Sequence, residues 1–227
     1  NLDPSYIPML EASYDKTMLD AYLKGLWVNM NGNRFYYAHS ERSEDRAIIH
    51  NENEQVHAFM DFNVQYMTAT FWHFDGVELF GFDEIVIENN ADTQRMCDIM
   101  RERGYTNDRT LVYPDPAGKA RKTTGQPDHV VLRNNGYELR VKSVSPLMRQ
   151  RQLNTNNLLD KNRIHYNPDR MPTLRKDLQS VEQDPITFEK VKKNPKLTHA
   201  SDGFDYGCDI LFPFSGKRQL SQVVNFR

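Results

Sequence analysis

The stretch that most constrains this chain runs from Gln55 to Phe74, QVHAFMDFNVQYMTATFWHF. Val56, Ala58, Phe59, Met60, Phe62 and Val64 give it little polar relief, as expected of a strand covered on both faces. One carboxylate, Asp61, interrupts it. Burying a carboxylate is costly unless a positive or hydrogen-bonding group compensates it, and a divalent cation is an economical compensation. Asp61 is therefore read as a candidate metal ligand. A second local reading stays open, in which Asp61 and Asn63 occupy a solvated strand end beside a turn.

From Thr68 to Phe74 the pattern predicts a second strand, with Asp75 and Gly76 as a turn and Val77 to Ile87 as a third strand, an antiparallel meander. Asn90 is the expected cap of a helix that buries Met96, Ile99 and Met100 and stops at Gly104. Thr110 to Tyr113 reads as a strand, and Pro127 and Gly136 bracket a helix before a strand from Glu138 to Lys142. Ser145 and Pro146 open a polar helix, MRQRQLNTNNLL, expected to be wet or to touch a partner. A short strand from Arg163 to Tyr166 and a helix from Pro172 to Val181 follow. The class is α/β, with a mixed sheet of five or more strands that keeps an antiparallel edge.

The last helix, HASDGFDYGCDILF, puts Phe204, Cys208, Leu211 and Phe212 on one stripe. His199, Asp202, Asp205 or Tyr206, and Asp209 lie on another. Gly203 and Gly207 weaken the helix, and are tolerated if it presses closely on the sheet, which would carry Asp202 to a strand.

Ahead of this domain, Asp3 and Pro4 resemble a helix start, Lys16 to Lys24 a short helix, and WVNMNGNRFYY an aromatic hairpin. The expected division is a connecting arm over 1–50, a main domain over 51–214 and a tail over 215–227. Since the first residue is Asn1, the chain is expected to be a piece of a longer protein.

Cys97 and Cys208 stand far apart, without zinc spacing or a disulfide framework. With no membrane-spanning run and no signal peptide, a soluble intracellular protein is expected. Net charge is only −2, but it is unevenly spread. Lys119, Arg121, Lys122, Arg133, Arg140, Lys142, Arg149 and Arg151 fall in one span, either a phosphate-binding face or merely a solvated basic surface.

Three acids stand where α/β sheets keep their chemistry: Asp61 in the first strand, Asp115 after a later strand and Asp202 on the closing helix. Hard divalent cations want oxygen ligands, and three carboxylates from three elements suffice for two ions. Alternatives remain for each. Asp115, between two prolines, is also a natural turn residue, and Asp202 could share a solvated helix face with Asp205 and Asp209. His199 is either a ligand or a plain helix-terminal residue. Gly118-Lys119 is not a phosphate loop, because the Gly-Lys-Ser/Thr order is missing.

The runs MDFNVQYMTA, YPDPAGKARKTTG, PLMRQRQLNTNNLL and THASDGFDYG, in this order, resemble the C-terminal nuclease domain of the large terminase subunit of tailed bacteriophages. The resemblance covers Val56 to Phe214, and the GLWV and FYY arm is similar to the segment that follows the ATPase in such subunits. It implies an RNase H-like fold with helices on both faces of the sheet. Acids on the first strand, the fourth strand and a late helix would hold two Mg²⁺ or Mn²⁺ ions. Carried over, Asp61 of the DFN run is the shared ligand, Asp115 of PDPAG the second acid and Asp202 of the HxxD run the third. His199 or Asp205 is a further possible ligand, with Asp128, Asp205 and Asp209 as rival acids.

The activity implied is cleavage of double-stranded viral DNA concatemers during genome packaging, in the host cytoplasm, with the small terminase subunit and the portal protein as partners. Lys119, Arg121, Lys122, Lys142, Arg149 and Arg151 would hold the DNA backbone. The family's ATPase motor has a phosphate-binding loop that this sequence lacks. Two other readings remain: a junction resolvase or integrase-type transferase, and a non-catalytic DNA-binding or portal-docking module.

Overall fold

Period-two burial along the first strand decides the architecture. In the computed structural model, which describes residues 6–14, 19, 33–120, 125–192, 194 and 196–213, β1 is Val56–Asp61 and is buried throughout. Val56, Ala58 and Met60 enter one apolar core and Phe59 the other, the alternation a strand imposes when both faces are covered.

Five more strands complete the sheet: β2 (Tyr66–Phe74), β3 (Leu79–Glu88), β4 (Thr110–Pro114), β5 (Glu138–Leu139) and β6 (Ile164–Tyr166). Their order is β5-β4-β1-β2-β3-β6. The expected meander β1–β2–β3 is antiparallel, and Gly76 at φ +98° makes its second turn while the Asp75 carboxylate accepts from the Val77 and Glu78 N–H groups. It lies in the middle of the sheet. The expected antiparallel edge is not there: β4 joins β1, β5 joins β4 and β6 joins β3, all in parallel. Parallel pairing needs a long crossover, and the helices between these strands supply it.

The described helices are α1 (Tyr6–Ser13), α2 (Thr93–Glu102), α3 (Asp128–Asn134), α4 (Met148–Asp160), α5 (Pro172–Ser180) and α6 (His199–Leu211). Met96, Met100 and Leu132 from α2 and α3 cover one face of the sheet. Leu158, Leu174 and Phe204 from α4, α5 and α6 cover the other. None of the described helices is long and apolar enough to cross a membrane.

Several local expectations are corrected. Asp92, not Asn90, caps α2 by accepting from the Arg95 N–H, because Asn89 and Asn90 both take left-handed conformations to turn the chain out of β3. The strand expected to reach Lys142 stops at Leu139. Helix α4 is not wet: its residues from Arg151 to Leu159 are buried, and its polar side chains bond across the interior. Asn156 donates to the Phe35 carbonyl, Asn154 to the Phe212 carbonyl and Thr155 to Asp205. Polar composition hid a buried helix because these groups found partners across the core. The helix expected over Lys16–Lys24 and the first half of the aromatic hairpin lie outside the described residues. From its second half, Arg34 bridges Glu182, and Phe35 and Tyr36 are buried in the core on the α6 side.

Candidate active site

Strands β1 and β4 run in parallel and end together, so the residues at their carboxyl ends are brought side by side. Asp61 closes β1, only 7% exposed. Asp115 follows β4, and its N–H continues the ladder to the Met60 carbonyl at 3.0 Å. By the period of two, both acids belong to the face that carries Phe59 and Tyr113, the face under α6. Asp115 is also the expected turn residue. Its carboxylate accepts from the Ala117 N–H at 2.8 Å and caps the turn Pro116–Lys119. Gly118 holds that turn against Phe62, whose ring would lie 2.4 Å from any Cβ there.

Helix α6 arrives on the same face by way of its glycines. A Cβ on Gly203 would stand 3.1 Å from the Met60 carbonyl carbon and 3.2 Å from the Asp61 nitrogen, so the helix backbone lies directly on the strand that carries Asp61. Gly207 makes room in the same way for the Phe59 ring. This is the close approach the glycine pair predicted, and it places Asp202 beside β1. His199, the first residue of α6, contacts Asp61 through Nδ1 and Oδ2 at 2.8 Å. Just before it, Thr198 is held at φ +82°, a region that β-branched residues rarely adopt and that aims the start of α6 at the strand end.

The electrostatics tie these groups together. Burial pushes the Asp61 carboxyl up from its ordinary value, the His199 hydrogen bond opposes this, and the charges of Asp202 and Asp115 add to the rise. For Asp202 burial also works against the charge, but Lys190 and Lys192 outweigh it and hold the carboxyl below the usual range. Lys190 is wholly buried and stands 2.8 Å from both Asp202 and Asp205, with its ammonium over the Phe35 and Tyr36 rings. Tyr206, one turn after Asp202, is pushed up to about 12 by burial, with Arg151 opposing and the charges of Asp115, Asp202 and Asp61 adding.

The rival acids have partners of their own, and Asp205 shares Lys190 with Asp202. Asp128 is buried at the start of α3 and accepts from the Thr93 hydroxyl, tying α3 to α2. Asp205 accepts from Tyr36 and Thr155 and pairs with Lys190. Asp209, two turns beyond Asp202, pairs with Lys142. Among the basic residues, Lys119 is exposed and donates to the Ser143 carbonyl, and Arg149 lies over the Phe188 ring. Arg151 is buried, and Arg121 and Lys122 lie outside the described residues. Sequence reasoning missed Lys190 altogether, since nothing local marks a lysine that will be buried by a helix arriving later. Helical spacing already places Tyr206 on the Asp202 stripe, as an alternative to Asp205.

Three carboxylates form a hard oxygen donor set that suits Mg²⁺ or Mn²⁺, and the His199 imidazole adds a borderline nitrogen. In this structure the acids have side-chain partners: the His199 ring for Asp61, and the ammonium groups of Lys190 and Lys192 for Asp202. Among the described residues no three His, Cys, Asp or Glu side chains are close enough as placed to hold one ion. The donor chemistry fits the metal, and binding would require these side chains to exchange partners.

No family model matches the sequence, and no curated protein does. Solved structures do. The large terminase of a thermophilic bacteriophage, in complex with ADP, superposes with a TM-score of 0.70 at 18% identity, over 93% of this chain and 53% of that one. The P22 large terminase nuclease domain gives 0.61 at 11% identity, over 82% and 95%. The large terminase nuclease from thermophilic phage G20c with bound cobalt gives 0.53 at 13% identity, over 79% and 96%. The fold is that of large terminase nuclease domains. The chain spans about half the length of the ADP-bound terminase and matches nearly all of the isolated nuclease domains of P22 and G20c.

Proposed function

We propose that this chain is a metal-dependent endonuclease that cuts double-stranded DNA, the nuclease part of a phage large terminase. The observation that carries the reading is the gathering of Asp61, Asp115, Asp202 and His199 at one end of a sheet with the terminase nuclease fold. A protein with the same fold was solved with cobalt, which supports divalent metal use. Asp61, Asp115 and Asp202 would hold two Mg²⁺ or Mn²⁺ ions, with His199 orienting Asp61. The chemistry such ions supply is activation of a water and stabilisation of the leaving oxygen.

The chain's own residues do the rest. Lys190 keeps Asp202 charged and positioned, and Gly203 fixes the distance between α6 and β1. Lys119, Arg121, Lys122, Lys142, Arg149 and Arg151 are proposed to meet the DNA backbone, Lys142 by leaving Asp209. Such contacts carry little sequence preference and weaken with salt. By the same reading, the substrate is concatemeric viral DNA in the host cytoplasm and the partners are the small terminase subunit and the portal protein. Residues 1–50 form the arm, 51–214 the nuclease and 215–227 the tail.

One observation favours a second reading, a DNA-binding or docking module: the acids are already satisfied by lysines and histidine. Cleavage of supercoiled plasmid with Mn²⁺, Mg²⁺ or EDTA separates the two. Nicking should need metal and fall on the order of a thousandfold in Asp61→Ala, with the fold retained. Absence of both cleavage and a saturable Mn²⁺ site that depends on Asp61 would establish the docking module instead.

A further inference from the structure

The first turn of α4 gathers hydrogen-bond donors and leaves several of them without acceptors. The helix starts at Met148 with Leu147 in the capping position, and no side chain caps it. The N–H groups of Met148, Arg149 and Gln150 therefore have no acceptor within the helix, and the first to find one is that of Arg151, on the Leu147 carbonyl. Behind this turn lies the Arg151 side chain, 5% exposed. Its Nε and Nη1 make no hydrogen bond, and Nη2 meets only the Met148 sulfur, at 3.6 Å. A thioether is a weak acceptor. Asp205 and Asp202 supply opposite charge to Arg151, but a buried guanidinium whose donors lack acceptors is still costly. Further along the same helix, by contrast, Gln152, Asn154, Thr155 and Asn156 are all bonded.

Location adds the meaning. The Arg151 guanidinium stacks 4.4 Å over the ring of Tyr206, which stands one turn after Asp202 on α6. Arg149, in the same first turn, lies 4.5 Å over Phe188, and Lys190 two residues later pairs with Asp202. Arg151 thus links the open helix start to the helix that carries Asp202. A helix N-terminus with a guanidinium behind it is suited to a tetrahedral anion.

We propose that the first turn of α4 and Arg151 bind one backbone phosphate of the DNA, a neighbour of the phosphate that is cut. The phosphate oxygens accept from the free N–H groups and from Arg151, replacing the Met148 sulfur, which moves aside on a flexible unbranched chain. The inference rests on the nuclease reading for the source of the phosphate; a free phosphate ion shares the chemistry.

The test uses the full chain carrying Asp61→Asn, so that binding is read without cutting. Affinity for a short duplex is measured against salt, with and without Leu147→Asp. Leu147 is exposed, and an aspartate there caps the helix with its own carboxylate. The melting temperature should hold or rise, while duplex affinity falls about tenfold and the slope of log affinity against log salt drops by about 0.9, one phosphate contact. Arg151→Gln should give a similar loss that does not add to that of Leu147→Asp. Unchanged affinity and slope in folded Leu147→Asp overturns the proposal, whether or not Arg151→Gln folds. If inorganic phosphate alone stabilises the parent against melting in a way Leu147→Asp abolishes, yet duplex binding is unaffected, the site serves a free anion and the proposal is also overturned. Mn²⁺ titration and plasmid cleavage by the Asp61 protein are scored separately, so loss of the metal site sinks the nuclease reading without touching the phosphate site.

Discussion

The two faces of the sheet are built on different principles. Under α2 and α3 the core is sulfur-rich, with Val56, Ala58, Met60, Met67, Ile85, Ile87, Met96 and Met100 packed among the rings of Phe71, Phe82, Tyr105 and Tyr137, and with Asp128 as its one buried carboxylate among the described residues. Under α4, α5 and α6 the core is aromatic, with Phe59, Trp72 and Phe204 stacked, and it encloses charges: Asp177, Lys190, Arg151, Asp205 and Asp209. The first face gives stability by area removed from water. On the second, part of that gain is offset by desolvation, and what it secures is the placement of Asp202 and His199. Stability and function are divided between the faces of one sheet, and β1 belongs to both.

Substitutions on the two faces should therefore fail differently. Phe71→Ala, on the face under α2 and α3, should lose about 3–5 kcal/mol in a denaturant melt, with cleavage per folded molecule nearly unchanged. Equal losses of activity and stability would dissolve the distinction. Gly203→Ala should cost about 1–3 kcal/mol, because the new Cβ meets backbone that cannot yield, and should lower cleavage by more than that figure accounts for, since α6 is lifted from Asp61.

Asp177 sharpens the contrast by sign. Burial pushes its carboxyl up to about 6, against the Ser201 N–H and Lys190, which favour the charge. A raised carboxyl value means the folded state holds its proton longer than the unfolded chain. The contribution to stability is thus complete below about pH 4 and is lost as pH rises through about 6. Asp177→Asn should then stabilise the protein by about 2 kcal/mol at pH 8 and hardly at pH 4, as read from paired melts. The reverse pH order would show that Asp177 is held charged. The smallest effect belongs to the plain face: Asp92→Ala removes the cap of α2 and should cost about 1 kcal/mol with no change in cleavage.

What could be read from the residues follows the same division. Strand and helix positions were legible wherever hydrophobic period and turn chemistry agreed, as at Asp75-Gly76 and from β1 to β3. The odd carboxylate in an apolar strand and the glycine pair in an acidic helix marked where α6 meets β1. What stayed hidden depends on partners far along the chain. Lys190 is indistinguishable from any surface lysine until Asp202 and Asp205 close on it. The burial of α4 rests on Phe35, Asp205 and Phe212, all distant from it in sequence and none announced by its own pattern. The partners of Asp128 and Asp205 were likewise invisible in the sequence.

The contact between His199 and Asp61 spans 138 residues of chain. At roughly 5–20 residues per second, a ribosome that has just made Asp61 needs about 7–28 s more to reach His199. During that interval the growing chain can pair β1, β2, β3 and later β4, but the helix that brings the last acid does not yet exist. Under the nuclease reading proposed above, a nascent chain would therefore leave the DNA around it uncut. The order of the elements along the polypeptide withholds the complete site until α6 has been translated and docked.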